Sequence, residues 1–590
     1  MADRRGINGG PIALGFRSPL SSGLPAFDFS PGSFFHFGNS PDNSLRNELM
    51  FKPQTSMLLC SGWRPLPPRT RLGALLTAKS WKMQINAIDY FEKGALQKCR
   101  DKVAIREQGR ECTFAELERY AKNLASLLVK RDARTRQPVP VFLPKGAGNI
   151  VANVGILYSG NAYANLDVKS PPQRLKGMLQ NLDAPVIVTN AAHAPTLRAL
   201  EIPDEKLLMI EDAMVAEAAY DNAFLLKRLE SIIDTDPYCI IHTSGSTGIP
   251  KGVALNHRNT IDFVDWAFDR LGLDGSEVMG SLAPIYFDAY TLEFCLCLAK
   301  GATWVVVPDQ LAMFPAKLVE FIDTNPINFI FWVPTVMVNI ANLDLLAKFN
   351  LERLEKVLFI GEVFPTRHLN YWRRHLKDAM FVNLYGPIEI TVACTYYIVD
   401  RDLSDDEKLP VGFPCRNTEI LIFNEQNQLT KTDEPGEICV RGSSLALGYY
   451  NNAERTARGF VQNPLNPHYP EWIYRTGDLG YWNARGEVMF LGRRDFQIKH
   501  MGYRIELGEI EHAAVQVDGI RNCCAVYDQN KKEITLFYES NKELGPGFIR
   551  EKLSPILPKY MLPTVFNWME LMPRNPNGKI DRQKLVSSVN

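Results

Sequence analysis

Apolar side chains recur at helical spacing from residue 114 onward. Phe114, Leu117, Ala121, Leu124 and Leu128 follow at three- and four-residue steps, so residues 114–129 predict an amphipathic helix with one buried face. Thr113 and Glu116, just before it, have capping-box spacing. The hydroxyl can take up a free amide at the helix start and the carboxylate can reach back. Further on, short β-rich runs alternate with helical patterns, at residues 141–143, 186–188, 238–241, 304–307, 329–332 and 357–360. Such strand–helix alternation predicts α/β layers. After residue 495 the pattern shifts. A helical stretch at 506–517 precedes an apolar run at 523–527, a polar turn, and Ile534, Leu536 and Tyr538 in alternation. That is the pattern of a small α+β unit. No internal repeat is present.

The first 82 residues carry no such periodicity. They hold 9 Gly, 9 Pro and 10 Ser, with 10 Lys/Arg against 4 Asp/Glu, and read as a poorly ordered extension. Three origins fit it: translation upstream of a true start at Met83, a functional disordered tail, or an organellar transit segment. The last is favoured by its Arg/Ser-rich, acid-poor composition and opposed by the lack of a clear amphipathic helix. The whole chain of 590 residues balances 66 Lys+Arg with 66 Asp+Glu, so the remainder is mildly acidic. This argues against a nucleic-acid binder with a strongly basic body. No run approaches 18 uninterrupted apolar residues, so no membrane span is expected. The 11 cysteines show neither C-x-x-C nor zinc-ligand spacing and read as reduced packing residues of a cytoplasmic protein.

The sharpest chemical signal is Thr243-Ser-Gly-Ser-Thr-Gly-Ile-Pro-Lys-Gly252, directly after the 238–241 run. Hydroxyls at Thr243, Ser244, Ser246 and Thr247 interleave with Gly245 and Gly248, where backbone amides can approach an anion closely, and Lys251 adds positive charge. A polyphosphate needs this combination. The loop is not a Walker A motif: Pro250 and Gly252 stand where that motif requires Gly and Ser/Thr.

At this loop the chain resembles the adenylate-forming superfamily: acyl-CoA synthetases, luciferases and the adenylation domains of nonribosomal peptide synthesis. Further matches follow in the family's order over residues 83–590. Leu157-Tyr-Ser-Gly-Asn-Ala-Tyr163 is similar to "LKAGxAYVPID", Phe287-Asp-Ala-Tyr290 to "FDxS", and Asn383-Leu-Tyr-Gly-Pro-Ile-Glu389 to "NxYGPTE". Gly436-Glu-Ile-Cys-Val-Arg-Gly442 with Gly448-Tyr449 is similar to "GELxIxGxxxxxGY", and Tyr474-Arg-Thr-Gly-Asp478 to "YRTGD". Gly492-Arg-Arg-Asp495, Gln497-Ile-Lys499 and Arg504-Ile-Glu-Leu-Gly-Glu-Ile-Glu511 match the hinge motif, and Asn577-Gly-Lys-Ile-Asp581 the terminal "NGKxDR". The resemblance implies an α/β fold: a large multi-subdomain N-terminal adenylation domain over 83–494 and a small mobile α+β C-terminal lid over 495–590, with Asp495 the pivot.

It also implies the chemistry. Such enzymes join a carboxylate to ATP as an acyl-adenylate and pass the acyl group to a thiol, largely by positioning and charge neutralisation. Thr243, Ser244, Gly245, Ser246, Thr247, Gly248 and Lys251 would hold the ATP phosphates. Tyr385, beside Gly386, would stack on adenine, with Asn383 at its edge. Asp478 would accept both ribose hydroxyls with help from Arg493, and Glu389 would bind Mg²⁺. Lys579 would bridge substrate carboxylate and α-phosphate. Lys499 and Gly502 would face the site after lid rotation, Gly502 leaving room for a pantetheine arm. One departure stands out: Ile388 replaces a threonine whose hydroxyl commonly contacts the α-phosphate, and losing one such donor costs about 10²–10³ in rate.

Asp288 matches the position where amino-acid-activating members pair with the substrate α-ammonium; otherwise it reads as a helix N-cap. The resemblance places the side-chain pocket on Ala289, Leu292, Phe331, Leu358, Ile360, Leu384, Val392 and Ala393, all apolar, which suits a small or medium aliphatic amino acid. Leu358-Phe-Ile-Gly-Glu-Val-Phe-Pro365 resembles the "FCGEVLP" of D-alanine–carrier protein ligases, with Ile360 in place of Cys. No carrier or condensation motif follows Lys579, so the expected thiol belongs to a separate phosphopantetheine carrier protein or to coenzyme A. Three readings result: a stand-alone amino acid–carrier protein ligase, an acyl-CoA synthetase for a non-amino carboxylate, and a weakly catalytic adenylate-binding protein, the last motivated by Ile388.

Overall fold

Thr113 caps its helix as its spacing requires. The Thr113 hydroxyl accepts from the Glu116 amide at 3.2 Å, the Thr113 amide donates to the Glu116 carboxylate at 2.9 Å, and the helix runs Phe114–Arg131. Phe114, Leu117, Ala121, Leu124 and Leu128 all lie on its buried face. The structure is a computed structural model that describes residues 85–245, 250–494, 497–529, 531–574 and 580–589. The N-terminal extension, Ser246, Thr247, Gly248, Asp495 and Lys579 lie outside the described residues.

Three sheets build the large body. In the first, Val103–Glu107, Thr303–Val306, Val278–Ser281, Phe329–Trp332, Lys356–Ile360 and Met380–Tyr385 run parallel in that spatial order. Antiparallel strands extend it at both edges. The second is a seven-stranded sheet with Pro237–Thr243 paired to Lys251–Asn256 near one edge. The third is antiparallel: Thr418–Phe423, Gly436–Gly442, Trp472–Trp482, Phe460–Gln462 and Val488–Arg493.

Strand alternation sorts the first sheet into two faces. Ile330, Trp332, Val357, Phe359 and Phe381 join one apolar cluster with Leu318, Ile322 and Trp372. Phe331, Leu358, Ile360, Val382 and Leu384 point the other way, into the main core shared with the helix Ala289–Lys300. This second face is the one that carries the expected substrate residues.

The C-terminal residues form a hairpin of Gln497–His500 and Tyr503–Glu506, the helix Leu507–Val515, and a three-stranded sheet of Ile520–Asp528, Glu533–Ser540 and Val565–Met569. They hold their own core around Ile505, Ile510, Leu536 and Ile549. The expected α+β character of this part holds, with each element within a few residues of its predicted span. Nine of the ten described cysteines are buried and all ten are free, as expected of packing thiols. Among the described residues no helix is long and apolar enough to cross a membrane.

Candidate active site

The site gathers at the carboxyl ends of parallel strands, where open α/β sheets generally bind ligands. Met380–Tyr385 delivers Asn383, Leu384 and Tyr385 to one point, and the turn after it delivers Gly386 and Glu389. Gly386 is required by space: a Cβ there would lie 2.7 Å from the Ala393 Cα and 2.8 Å from the Val392 carbonyl oxygen. Thr391 and Val392 have φ of 59° and 64°. For a β-branched residue such as Val392 this is a strained conformation, of the kind that concentrates at functional sites.

Asp478 and Arg493 face each other across an antiparallel strand pair, and the Arg493 guanidinium donates to the Asp478 carboxylate at 2.6 Å. The Tyr385 hydroxyl donates to the other Asp478 oxygen at 2.6 Å. Burial first, then the Asp478 charge, raises the Tyr385 hydroxyl well above its usual range, so Tyr385 stays a neutral donor. A carboxylate has about four acceptor directions, so Asp478 keeps capacity for a diol. Asn383 is anchored by a 2.8 Å bond from its amide to the Pro410 carbonyl.

Glu389 is fully buried. Arg504 donates to one of its oxygens at 2.7 Å, and the Tyr449 hydroxyl donates to the other at 2.7 Å, with Lys251 at 3.4 Å. Burial alone would raise the Glu389 carboxyl; Arg504 and then Lys251 outweigh it and hold it below the usual carboxylate range. Lys251 lies 3.8 Å from Glu506 and over the Tyr449 ring at 5.0 Å. Burial, then Arg504, lowers its ammonium to about 8, against the pull of Glu389.

Asp288 precedes the helix Ala289–Lys300 but makes no side-chain cap bond, so the N-cap reading fails. Burial raises its carboxyl to about 6, and Lys499 is the first group that opposes this. Lys499 is itself lowered, first by burial, with the Asp478 charge opposing; it has no ion-pair partner among the described residues. The eight expected pocket residues, Ala289, Leu292, Phe331, Leu358, Ile360, Leu384, Val392 and Ala393, all belong to the main apolar core of the body, with Ala289 directly after Asp288. A cleft of about 1110 Å³ lined by Arg441, Leu447, Phe460 and Trp472 contains none of the expected site residues.

Four participants carried no expected individual role. Arg504 and Tyr449 hold Glu389, Glu506 approaches Lys251, and Glu509 bonds the Gly245 amide at 3.0 Å. Their signal was membership in matched motifs, around 448–449 and 504–511. Gly502 also sits where only glycine fits. Its φ is 82°, a Cβ would approach Val333 to 2.7 Å, and its amide donates to Glu362 at 2.8 Å. Thus Lys499, Gly502 and Arg504 already face the body in this arrangement.

A model of the family described as AMP-binding enzyme matches residues 91–450, well over half of the chain. The chain belongs to the AMP-binding enzyme family. Membership rests on that match over residues 91–450. D-alanine–D-alanyl carrier protein ligase of Lactiplantibacillus plantarum is 32% identical over 503 residues, 82% of this chain and 95% of that protein. Tyrocidine synthase 1 of Brevibacillus parabrevis is 30% identical over 488 residues, 82% of this chain. The chain spans 43% of that synthase and 11% of gramicidin S synthase 2 from Brevibacillus brevis, to which it is 29% identical over 84% of its own length. Among solved structures, the Vibrio cholerae adenylation domain AlmE in complex with glycyl-adenosine-5′-phosphate superposes with a TM-score of 0.72 at 22% identity, over 86% of this chain and 98% of that one. That similarity establishes the α/β adenylation fold.

The two titrations give this AMP-binding enzyme a pH signature. An ammonium substrate paired with Asp288 would need that carboxyl ionised, which holds above about 6. A phosphate held by Lys251 would need that ammonium charged, which holds below about 8. The kcat/KM for amino-acid-dependent ATP–pyrophosphate exchange is therefore expected to rise through about 6 and fall through about 8. Asp288→Asn should remove the acid limb and leave the alkaline one; an acid limb that survives in the variant would assign it elsewhere.

Proposed function

We propose that the enzyme activates a small or medium aliphatic amino acid with ATP and transfers it to the phosphopantetheine thiol of a carrier protein. The observation that carries this reading is Asp288: a carboxylate of intermediate exposure without a cap bond, directly before Ala289 of the main apolar core. Its missing partner is a cation, and an α-ammonium supplies one while its aliphatic side chain enters that core.

In the first step the substrate carboxylate attacks the α-phosphorus. A P–O bond forms, the bond to the bridging oxygen of the β-phosphate breaks, and pyrophosphate leaves with that electron pair. Ser244, Gly245 and Lys251, together with Ser246, Thr247 and Gly248, hold the departing phosphates in this reading, and Lys579 neutralises the reacting carboxylate and α-phosphate. Tyr385, Asn383, Asp478 and Arg493 hold the adenosine. In the second step the thiol sulfur attacks the acyl carbon, the acyl–phosphate C–O bond breaks, AMP departs, and the thiol proton passes to solvent.

Glu389 fits one Mg²⁺ by donor chemistry, since that ion commonly takes one or two carboxylates and completes its shell with phosphate oxygens and water. Arg504 and Tyr449 each engage one Glu389 oxygen here, and the Arg504 charge opposes a second cation at that carboxylate. When bound, Mg²⁺ supplies charge neutralisation to the phosphates. Ile388, 6% exposed in the turn Ile388–Ile390, contributes packing where the family has a hydroxyl.

An ATP–pyrophosphate exchange panel tests the reading. Small and medium aliphatic amino acids, D and L, are expected to drive exchange. Exchange with fatty or aryl acids alone would establish an acyl-CoA-synthetase-like enzyme instead, and no exchange with any acid would establish a binding protein.

A further inference from the structure

The C-terminal unit occupies the described part of the phosphate loop. The Ser244 hydroxyl donates to the Arg504 carbonyl at 2.6 Å and accepts from the Glu506 amide at 3.2 Å. The Gly245 amide donates to a Glu509 oxygen at 3.0 Å. Lys251 lies 3.8 Å from the Glu506 carboxylate. Ser244, Gly245 and Lys251 thus face the C-terminal unit, whereas the buried Thr243 hydroxyl makes no hydrogen bond to any described residue, and two of the facing groups are carboxylates. An amide aimed at an anion is satisfied here by a protein carboxylate.

Glu509 is not there by default. It is 1% exposed, and burying a carboxylate without a partner is costly. Burial raises it, and Arg174 is the first group that opposes this. Arg174 comes from the helix Pro172–Leu182 of the large body, is itself 9% exposed, and forms a close ion pair with the Glu509 oxygen that does not face Gly245. Without Glu509 this guanidinium would lose its only ion-pair partner among the described residues. The two residues lie 335 positions apart and meet only when the C-terminal unit docks this way.

A polyphosphate cannot share this site with Glu506 and Glu509. It would need the same Gly245 amide and Ser244 hydroxyl, and its charge would be set against two carboxylates, the buried Glu509 and the partly exposed Glu506. The arrangement therefore belongs to a step in which no polyphosphate is bound. On the reading proposed above, on which this inference rests, that step follows loss of pyrophosphate, and Lys499 and Gly502 then face the body as thiol transfer requires.

We propose that Arg174 and Glu509 are the docking pair that positions the C-terminal unit for thiol transfer, with the Glu509 carboxylate seated on the Gly245 amide so that docking and polyphosphate binding exclude each other. Both act as positioning residues. Neither touches the reacting atoms.

The test uses the full chain and three readouts. Calorimetry measures binding of inorganic pyrophosphate, exchange measures adenylation, and single-turnover transfer from preformed aminoacyl-adenylate to phosphopantetheine measures the second step. Glu509→Gln should bind pyrophosphate about 3-fold or more tightly and slow transfer about 5-fold or more beyond any change in exchange, a split within the usual range of coupling between sites. Arg174→Gln should slow transfer alike, and Arg174→Lys, which keeps the charge, should recover most of it. Arg174→Gln approaches the same contact from the body, so it decides the matter if Glu509→Gln does not fold. Unchanged pyrophosphate affinity in Glu509→Gln, or equal losses of exchange and transfer, would overturn the docking pair. If the wild-type chain shows no exchange with any acid, the adenylation reading fails, and pyrophosphate affinity alone then decides the competition.

Discussion

Asp288→Ala should abolish the amino-acid dependence of adenylation. In the free protein the Asp288 carboxyl is raised to about 6 because burial outweighs Lys499, the first group that opposes it. A substrate ammonium would complete a buried pair, and removing one partner from such a pair costs about 3–5 kcal/mol. At about 1.4 kcal/mol per tenfold, kcat/KM for amino-acid-driven exchange should fall by about two to three and a half orders of magnitude. Folding should be spared, since Asp288 makes no cap bond for the helix behind it. Exchange kinetics with a chemical denaturation curve check both parts. A variant with wild-type kcat/KM would show that the ammonium is held elsewhere.

Glu389→Gln should damage both stability and catalysis. Glu389 is fully buried between Arg504, Lys251 and the Tyr449 hydroxyl. The amide keeps the shape and removes the charge, leaving two buried cations facing each other. The expected loss is about 3–5 kcal/mol of unfolding free energy. Exchange should fall by about 10² or more, because Lys251 loses its anchor and the proposed Mg²⁺ its carboxylate. Denaturant titration and exchange measured on one preparation check this. Full stability with lost exchange would mean that Arg504 and Lys251 find other partners, and would place Glu389 in catalysis alone.

Sequence spacing revealed what is local. The helix after Thr113, the strands that become Phe329–Trp332 and Lys356–Ile360, and the small C-terminal unit all follow from short-range periodicity. The expected pocket residues Phe331, Leu358, Ile360 and Leu384 share one face because pairing in register preserves strand alternation. The pairing of Asp478 with Arg493 is likewise near in sequence, across two adjacent strands.

What escaped is long-range. Arg504 meets Glu389 across 115 positions and Glu509 meets Gly245 across 264. No periodicity encodes such contacts; they depend on how the C-terminal unit sits on the body. The antiparallel sheet from Thr418–Phe423 to Val488–Arg493 also went unread as a unit, since its strands coincide with motifs that drew attention for their chemistry. The N-cap alternative for Asp288 could be dismissed only with coordinates, because sequence places an acid at a helix start without showing what its oxygens touch.

Mass spectrometry of the enzyme incubated with ATP, Mg²⁺ and a small aliphatic amino acid tests the central claim most directly. Aminoacyl-adenylate on the protein with pyrophosphate released, converted on addition of a phosphopantetheine thiol to thioester and AMP, is the predicted result. ADP and phosphate as products, or an adenylate formed only from acids without an amino group, would contradict it.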